Sequence, residues 1–164
     1  LICYSFNNSI RFNSKNEFNI AFGKDRSDFN LALQERLKIF IQKLKYIKIY
    51  NKSFEDIKLD KLKPDDYLYC DPPYLITVAN YNENGGWNDV LEVKLLEKLN
   101  KANEMGVRFG LSNVLEHKGK SNDILKEWAS NYNIHYLNHN YSNCNYRTKD
   151  KSKNSSIEVL ITNY

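Results

Sequence analysis

Apolar residues at Leu33, Leu37, Phe40 and Leu44 recur at i, i+4, i+7 and i+11, along one face of an amphipathic helix. Ahead of this stripe lie Leu1 to Phe6, Ile10-Arg11-Phe12-Asn13 and Phe18-Asn19-Ile20-Ala21-Phe22-Gly23. These short aromatic-rich segments, separated by Asn and Ser, read as a β-hairpin or an irregular loop module. Beyond about residue 45 strands and helices alternate. Ile47-Lys48-Ile49-Tyr50 reads as a short strand and Ser53 as the cap of a brief helix reaching about Leu59. Pro64-Asp65-Asp66 turns into the strand Tyr67-Leu68-Tyr69-Cys70. A polar loop from Thr77 to Trp87, with Gly85-Gly86 as its hinge, precedes a long helix carrying Leu91, Leu95, Leu99 and Ala102, which stops at Gly106. Val107-Arg108-Phe109-Gly110-Leu111 predicts a strand, and Asn122 or Asp123 begins a helix with Ile124, Leu125 and Trp128. The last two strands are Ile134 to Leu137 and Ile157 to Thr162. The repetition implies an α/β fold with right-handed crossovers and a largely parallel sheet.

Composition narrows the class. A chain of 164 residues fits one ordinary domain, and 41% hydrophobic with 13% aromatic residues argues against disorder. No run is long enough to cross a bilayer, the opening residues do not form a signal peptide, and a cytoplasmic protein is expected. The start at Leu1-Ile2-Cys3, without methionine, suggests part of a longer protein. A net charge of +4 is weak evidence for a nucleic-acid partner. Cys3, Cys70 and Cys144 lack metal-type spacing and read as reduced structural residues. His135 and His139 have helical metal-pair spacing but fall on a predicted strand and give an incomplete site, so no metal is expected.

The chemistry concentrates at Asp71-Pro72-Pro73-Tyr74, directly after the strand ending at Cys70. Two of the three prolines are here. They fix the backbone so that its carbonyls project in one direction, beside a carboxylate and a flat ring. In open α/β sheets ligands bind outside the carboxyl ends of strands; this segment and Ser112-Asn113 should border one cleft. An exocyclic amine on a nucleobase is a poor nucleophile because its lone pair is delocalised. The Asp71 carboxylate and the Pro72 carbonyl could accept its two hydrogens and localise that pair, while Tyr74 stacks on the base. Held in line with a sulfonium methyl, such a nitrogen needs no strong general base.

At these residues the chain resembles the C-terminal part of the Dam-type (D12 class) adenine-N6 DNA methyltransferases. The resemblance runs through Arg11-Phe12-Asn13, Phe18 to Gly23, Asp71 to Tyr74, Gly110-Leu111-Ser112-Asn113 and Glu158-Val159-Leu160-Ile161. It implies a Rossmann-like sheet, C-terminal half, spanning residues 46–164, with part of a target-recognition module in 1–45. It implies Asp71, Pro72, Pro73 and Tyr74 as catalytic residues, S-adenosyl-L-methionine as methyl donor touched by Asp71, and Phe54 beside the cofactor's adenine. Double-stranded DNA is the implied partner, met by Arg11, Phe12, Asn13, Lys15 and Asn19, with Phe12 and Asn13 filling the gap left by a flipped base. A cognate restriction endonuclease system is a further implied partner, and Tyr141-Ser142-Asn143 match the family's target pocket.

Two departures stand out. The family often has Pro where Ala21 stands, and none of the six glycines forms its Gly-rich cofactor loop, so this stretch alone is expected to be inactive. Two other readings remain open from the residues. One is transfer to another base amine, cytosine N4 or an RNA base; the other is a non-catalytic nucleic-acid-binding module. Arg11, Lys15 and Lys24 are candidate phosphate contacts. The run Arg147, Lys149, Lys151 and Lys153 reads as a solvated hairpin or a DNA-backbone contact. Tyr81 and Trp87 suggest a lid or a plain surface loop, and Trp128 and Tyr132 are expected in the core.

Overall fold

The computed structural model describes residues 2–6, 10–13, 15–23, 28–77, 86–137 and 156–164. They fall into two compact units, Leu1–Asn51 and Lys52–Tyr164.

In the first unit, a 3-10 turn at Ile2–Tyr4 leads into an antiparallel ribbon. Ser5 bridges Phe22 and Phe12 bridges Phe18. The segments expected to form a hairpin or an irregular loop module thus pair through two isolated bridges. Its tip is built by Asn13, whose Oδ1 accepts the backbone N–H groups of Lys15 and Glu17, while Asn16 takes the left-handed conformation at φ 59°. Helix α1 spans Leu31–Leu44 and is capped by the Asn30 side chain, which accepts from Leu33 N–H. The predicted stripe is on this helix, yet none of its 14 residues is buried. Ile47 to Tyr50 do not form the expected strand; Ile49 is 80% exposed, and β-rich composition without a pairing partner leaves the segment irregular.

In the second unit, Ser53 caps only a 3-10 turn, Phe54–Asp56, followed by another at Leu59–Lys61. The expected brief helix is thus two single turns. Strand β1 (Tyr67–Cys70) precedes helix α2 (Asp89–Glu104), strand β2 (Arg108–His117), short strand β3 (Lys120–Ser121), helix α3 (Asp123–Ala129), β4 (Asn133–Leu137) and β5 (Ser156–Thr162). Helix α2 ends as its sequence predicts. Gly106, at φ 74°, lets Val107 N–H reach back to the Ala102 carbonyl.

The sheet order is β1-β2-β5-β4, with β3 on the far part of β2. β1 and β2 are parallel, but β5 runs antiparallel to both of its neighbours. This corrects the largely parallel expectation: the last strand inserts between β2 and β4 and reverses the local direction. β2 is also longer than predicted, and a register shift between Val114 and Glu116 gives it an extra residue, Leu115. Leu95, Leu99, Phe109, Leu111, Leu125, Val159 and Ile161 form the buried core between the helices and the sheet. Trp128 and Tyr132 pack against it as expected, both donating to Asn100 Oδ1.

Candidate active site

The last register pair of β1 with β2 is Cys70 with Leu111. Asp71 therefore leaves the sheet beside Ser112. Because β2 continues to His117, Ser112 lies within its strand rather than beyond the end, a correction to the sequence reading. The two segments nevertheless meet. The Tyr74 hydroxyl donates to Asp71 Oδ1 at 3.0 Å and lies 3.5 Å from Ser112 Oγ. Asp71 is exposed, while Pro72, Pro73 and Tyr74 are half-buried. Thr77 closes the segment, donating from both its backbone N–H and its hydroxyl to the Tyr74 carbonyl.

Burial raises the Tyr74 pKa; the Ser112 hydrogen bond opposes this and Asp71 reinforces it. The phenol is thus protonated at neutral pH and can serve as the donor. Burial also pushes the Cys70 thiol up to about 11, so this neighbour of Asp71 is no nucleophile.

Phe54 sits in the 3-10 turn and packs on Trp87, with ring centroids 5.5 Å apart. Lys98 of α2 fixes this turn by donating to the carbonyls of Phe54 and Glu55, and Lys94 pairs with the Glu55 carboxylate. A groove of about 360 Å³ along α2 includes Phe54, Ile57, Lys94 and Lys98 in its lining and no residue of 71–74. Asp71 thus offers an exposed carboxylate to polar groups and Phe54 a half-buried aromatic face to a flat ring.

Trp87 is anchored, not a free flap. Its indole N–H donates to Glu92 Oε2 at 2.7 Å and its ring packs on the core. Tyr81, its proposed partner in a lid, lies outside the described residues. Glu92 was missed in the sequence. It is fully buried and lies on the same α2 face as Leu95, Leu96 and Leu99. A carboxylate within an apolar stripe was the available signal.

The five residues expected to meet DNA come together on the first unit's hairpin. Arg11 Nε donates to the Asn19 carbonyl at 2.6 Å, and Asn19 N–H to the Arg11 carbonyl. Phe12 is 57% exposed and meets Phe18 edge-to-face. The Asn13 amide is engaged in the turn, donating to Glu17 Oε2. Lys15 is exposed at the tip. Lys24, the segment 141–143 and the basic run from Arg147 to Lys153 lie outside the described residues. Among those described, no group of three or more His, Cys, Asp or Glu is placed to hold a metal ion, and no helix is long and apolar enough to cross a membrane.

A carboxylate, two prolines and a tyrosine thus stand at the end of a strand in a mixed α/β sheet. Comparison with known proteins gives the family. Residues 1–143 match the D12 class N6 adenine-specific DNA methyltransferase family, and the chain belongs to that family. It is 48% identical to the type II methyltransferase M.FokI of Planomicrobium okeanokoites and 42% identical to the modification methylase StsI of Streptococcus sanguinis. Each match covers 100% of this chain and 26% of the relative. The modification methylase LlaI of Lactococcus lactis is 34% identical over 98% of this chain and 25% of its own length. The chain thus spans about a quarter of these relatives.

Proposed function

We propose that the protein carrying this chain transfers a methyl group from S-adenosylmethionine to the N6 amine of an adenine flipped out of duplex DNA. The observation that carries the reading is the cluster of Asp71, Tyr74 and Ser112 at an exposed strand end, in a chain of this family. Bound S-adenosylmethionine would supply an electrophilic methyl on a sulfonium. Asp71 accepts one hydrogen of the amine and the Pro72 carbonyl the other, which draws the nitrogen lone pair out of the ring, and Asp71 then takes the proton that the methylated, cationic nitrogen loses. Pro73 fixes the turn. The Tyr74 hydroxyl bond orients its ring for stacking on the base and leaves the second Asp71 oxygen for the amine. Phe54 would hold the cofactor's adenine against its ring.

The hairpin residues Arg11, Phe12, Asn13, Lys15 and Asn19 hold the opened duplex, Arg11 and Lys15 through phosphates. For Asn13 to enter the duplex its amide must first release Glu17. Residues 1–45 act as part of the recognition region and 46–164 as the C-terminal part of the catalytic domain. The setting is cytoplasmic, alongside a restriction endonuclease of the same specificity. No metal takes part. None of the six glycines forms a Gly-rich cofactor loop, so this stretch binds the cofactor weakly by itself.

In the intact enzyme, Asp71→Ala abolishes N6-methyladenine formation while DNA affinity stays within about threefold, because the lost group acts on the amine rather than on phosphates. Methylation-sensitive restriction digestion and gel-shift titration read the two effects. Persistent methylation by the variant would refute the assignment.

A further inference from the structure

Glu92 accepts from three neutral donors. Trp87 Nε1 meets Oε2 at 2.7 Å; Asn113 Nδ2 and Asn122 Nδ2 meet Oε1 at 3.3 and 3.0 Å. The donors come from the segment entering α2, from β2 one residue after Ser112, and from the cap of α3. The two asparagine amides cannot turn over without loss, because Asn113 Oδ1 accepts Val114 N–H and Asn122 Oδ1 accepts Leu125 N–H. The centre therefore requires a side chain that only accepts, and a carboxylate is the group that does so on both oxygens. Trp87, held on one side by Glu92, presents its ring to Phe54 on the other.

We propose that Glu92 is a positioning residue for the cofactor side of the site: through Trp87 it fixes the ring of Phe54. This rests on the methyltransferase reading, in which Phe54 receives the cofactor's adenine. Glu92→Gln tests it selectively. The new amide group loses one hydrogen bond if it faces Trp87 and two if it faces the asparagines. It therefore turns to Trp87, keeps the β2 and α3 links, and releases the indole.

In the intact enzyme, Glu92→Gln raises the KM for S-adenosylmethionine about tenfold. kcat at saturating cofactor and the KM for DNA change much less, a split that general destabilisation would not produce. Trp87→Phe, which removes the donor and leaves the carboxylate in place, gives the same shift, and the double variant adds nothing to it. In a ¹⁵N spectrum the Trp87 indole resonance moves in Glu92→Gln while that of Trp128, bonded to Asn100, stays. An unchanged cofactor KM in either variant, or equal losses toward cofactor and DNA, would overturn the role of Glu92. Failure of the unsubstituted enzyme to bind S-adenosylmethionine would instead overturn the functional reading beneath it.

Discussion

Cys70 shows how strongly position modifies a side chain at this site. It directly precedes Asp71 and is held half-buried by the core, and burial raises its pKa from 9.0 to about 11. At pH 8 this cuts the thiolate fraction roughly a hundredfold relative to the unfolded chain. Iodoacetamide labelling at pH 8, read by peptide mass spectrometry, is therefore at least that much slower at Cys70 in the folded chain than in urea. Similar rates would show that the thiol is not buried. The same shift carries a stability consequence. Because the folded value lies above the unfolded one, the associated stabilisation is intact below about pH 9 and is lost as the pH rises toward about 11. The sequence disclosed the tetrapeptide because Asp, Pro, Pro and Tyr are unlike any core pattern. It could not disclose that the Tyr74 hydroxyl would bond Asp71 and approach Ser112, since the latter depends on a register set by β1 and β2.

Elements were legible where a local signal and a packing partner coincide. Helix α2 has its leucine stripe and its terminal Gly106, and both act as read, while the Asn88 cap, which accepts from Leu91 N–H, was not read. Ile47 to Tyr50 carry strand composition without a partner, and no strand forms. Helix α1 shows the converse: the period is right, and the burial it implies is missing. The β1–β2 pair contains a contact that no local pattern encodes. The Tyr67 hydroxyl lies over Gly110, where an added Cβ would stand 2.2 Å from it, and the Tyr67 ring meets Tyr164 edge-on. Gly110→Ala must push that ring aside and costs about 1–3 kcal/mol in urea unfolding. In a Tyr67→Phe background much of this cost disappears, because the clashing oxygen is gone; additive costs would refute the contact.

At the scale of the molecule, burial divides the two units. The core is drawn from residues of the second unit, and β2 and β5 each pair with two or more strands there. In the chain alone, backbone amides of β2 and β5 exchange most slowly with D₂O and those of the exposed helix α1 much faster, measurable by mass spectrometry. Slow exchange in α1 would contradict the burial pattern. The strand order also explains why the parallel expectation failed. Strand–helix alternation runs from β1 through α2 and β2 to α3 and β4, and nothing in the β5 sequence states that it returns between β2 and β4. That placement has a consequence during synthesis on the ribosome. β2 and β4 are translated first but do not pair with each other, so each awaits a strand that emerges later. Until residues 156–162 leave the exit tunnel, the nascent sheet carries a gap at its middle, bordered by unpaired backbone N–H and C=O groups open to wrong partners.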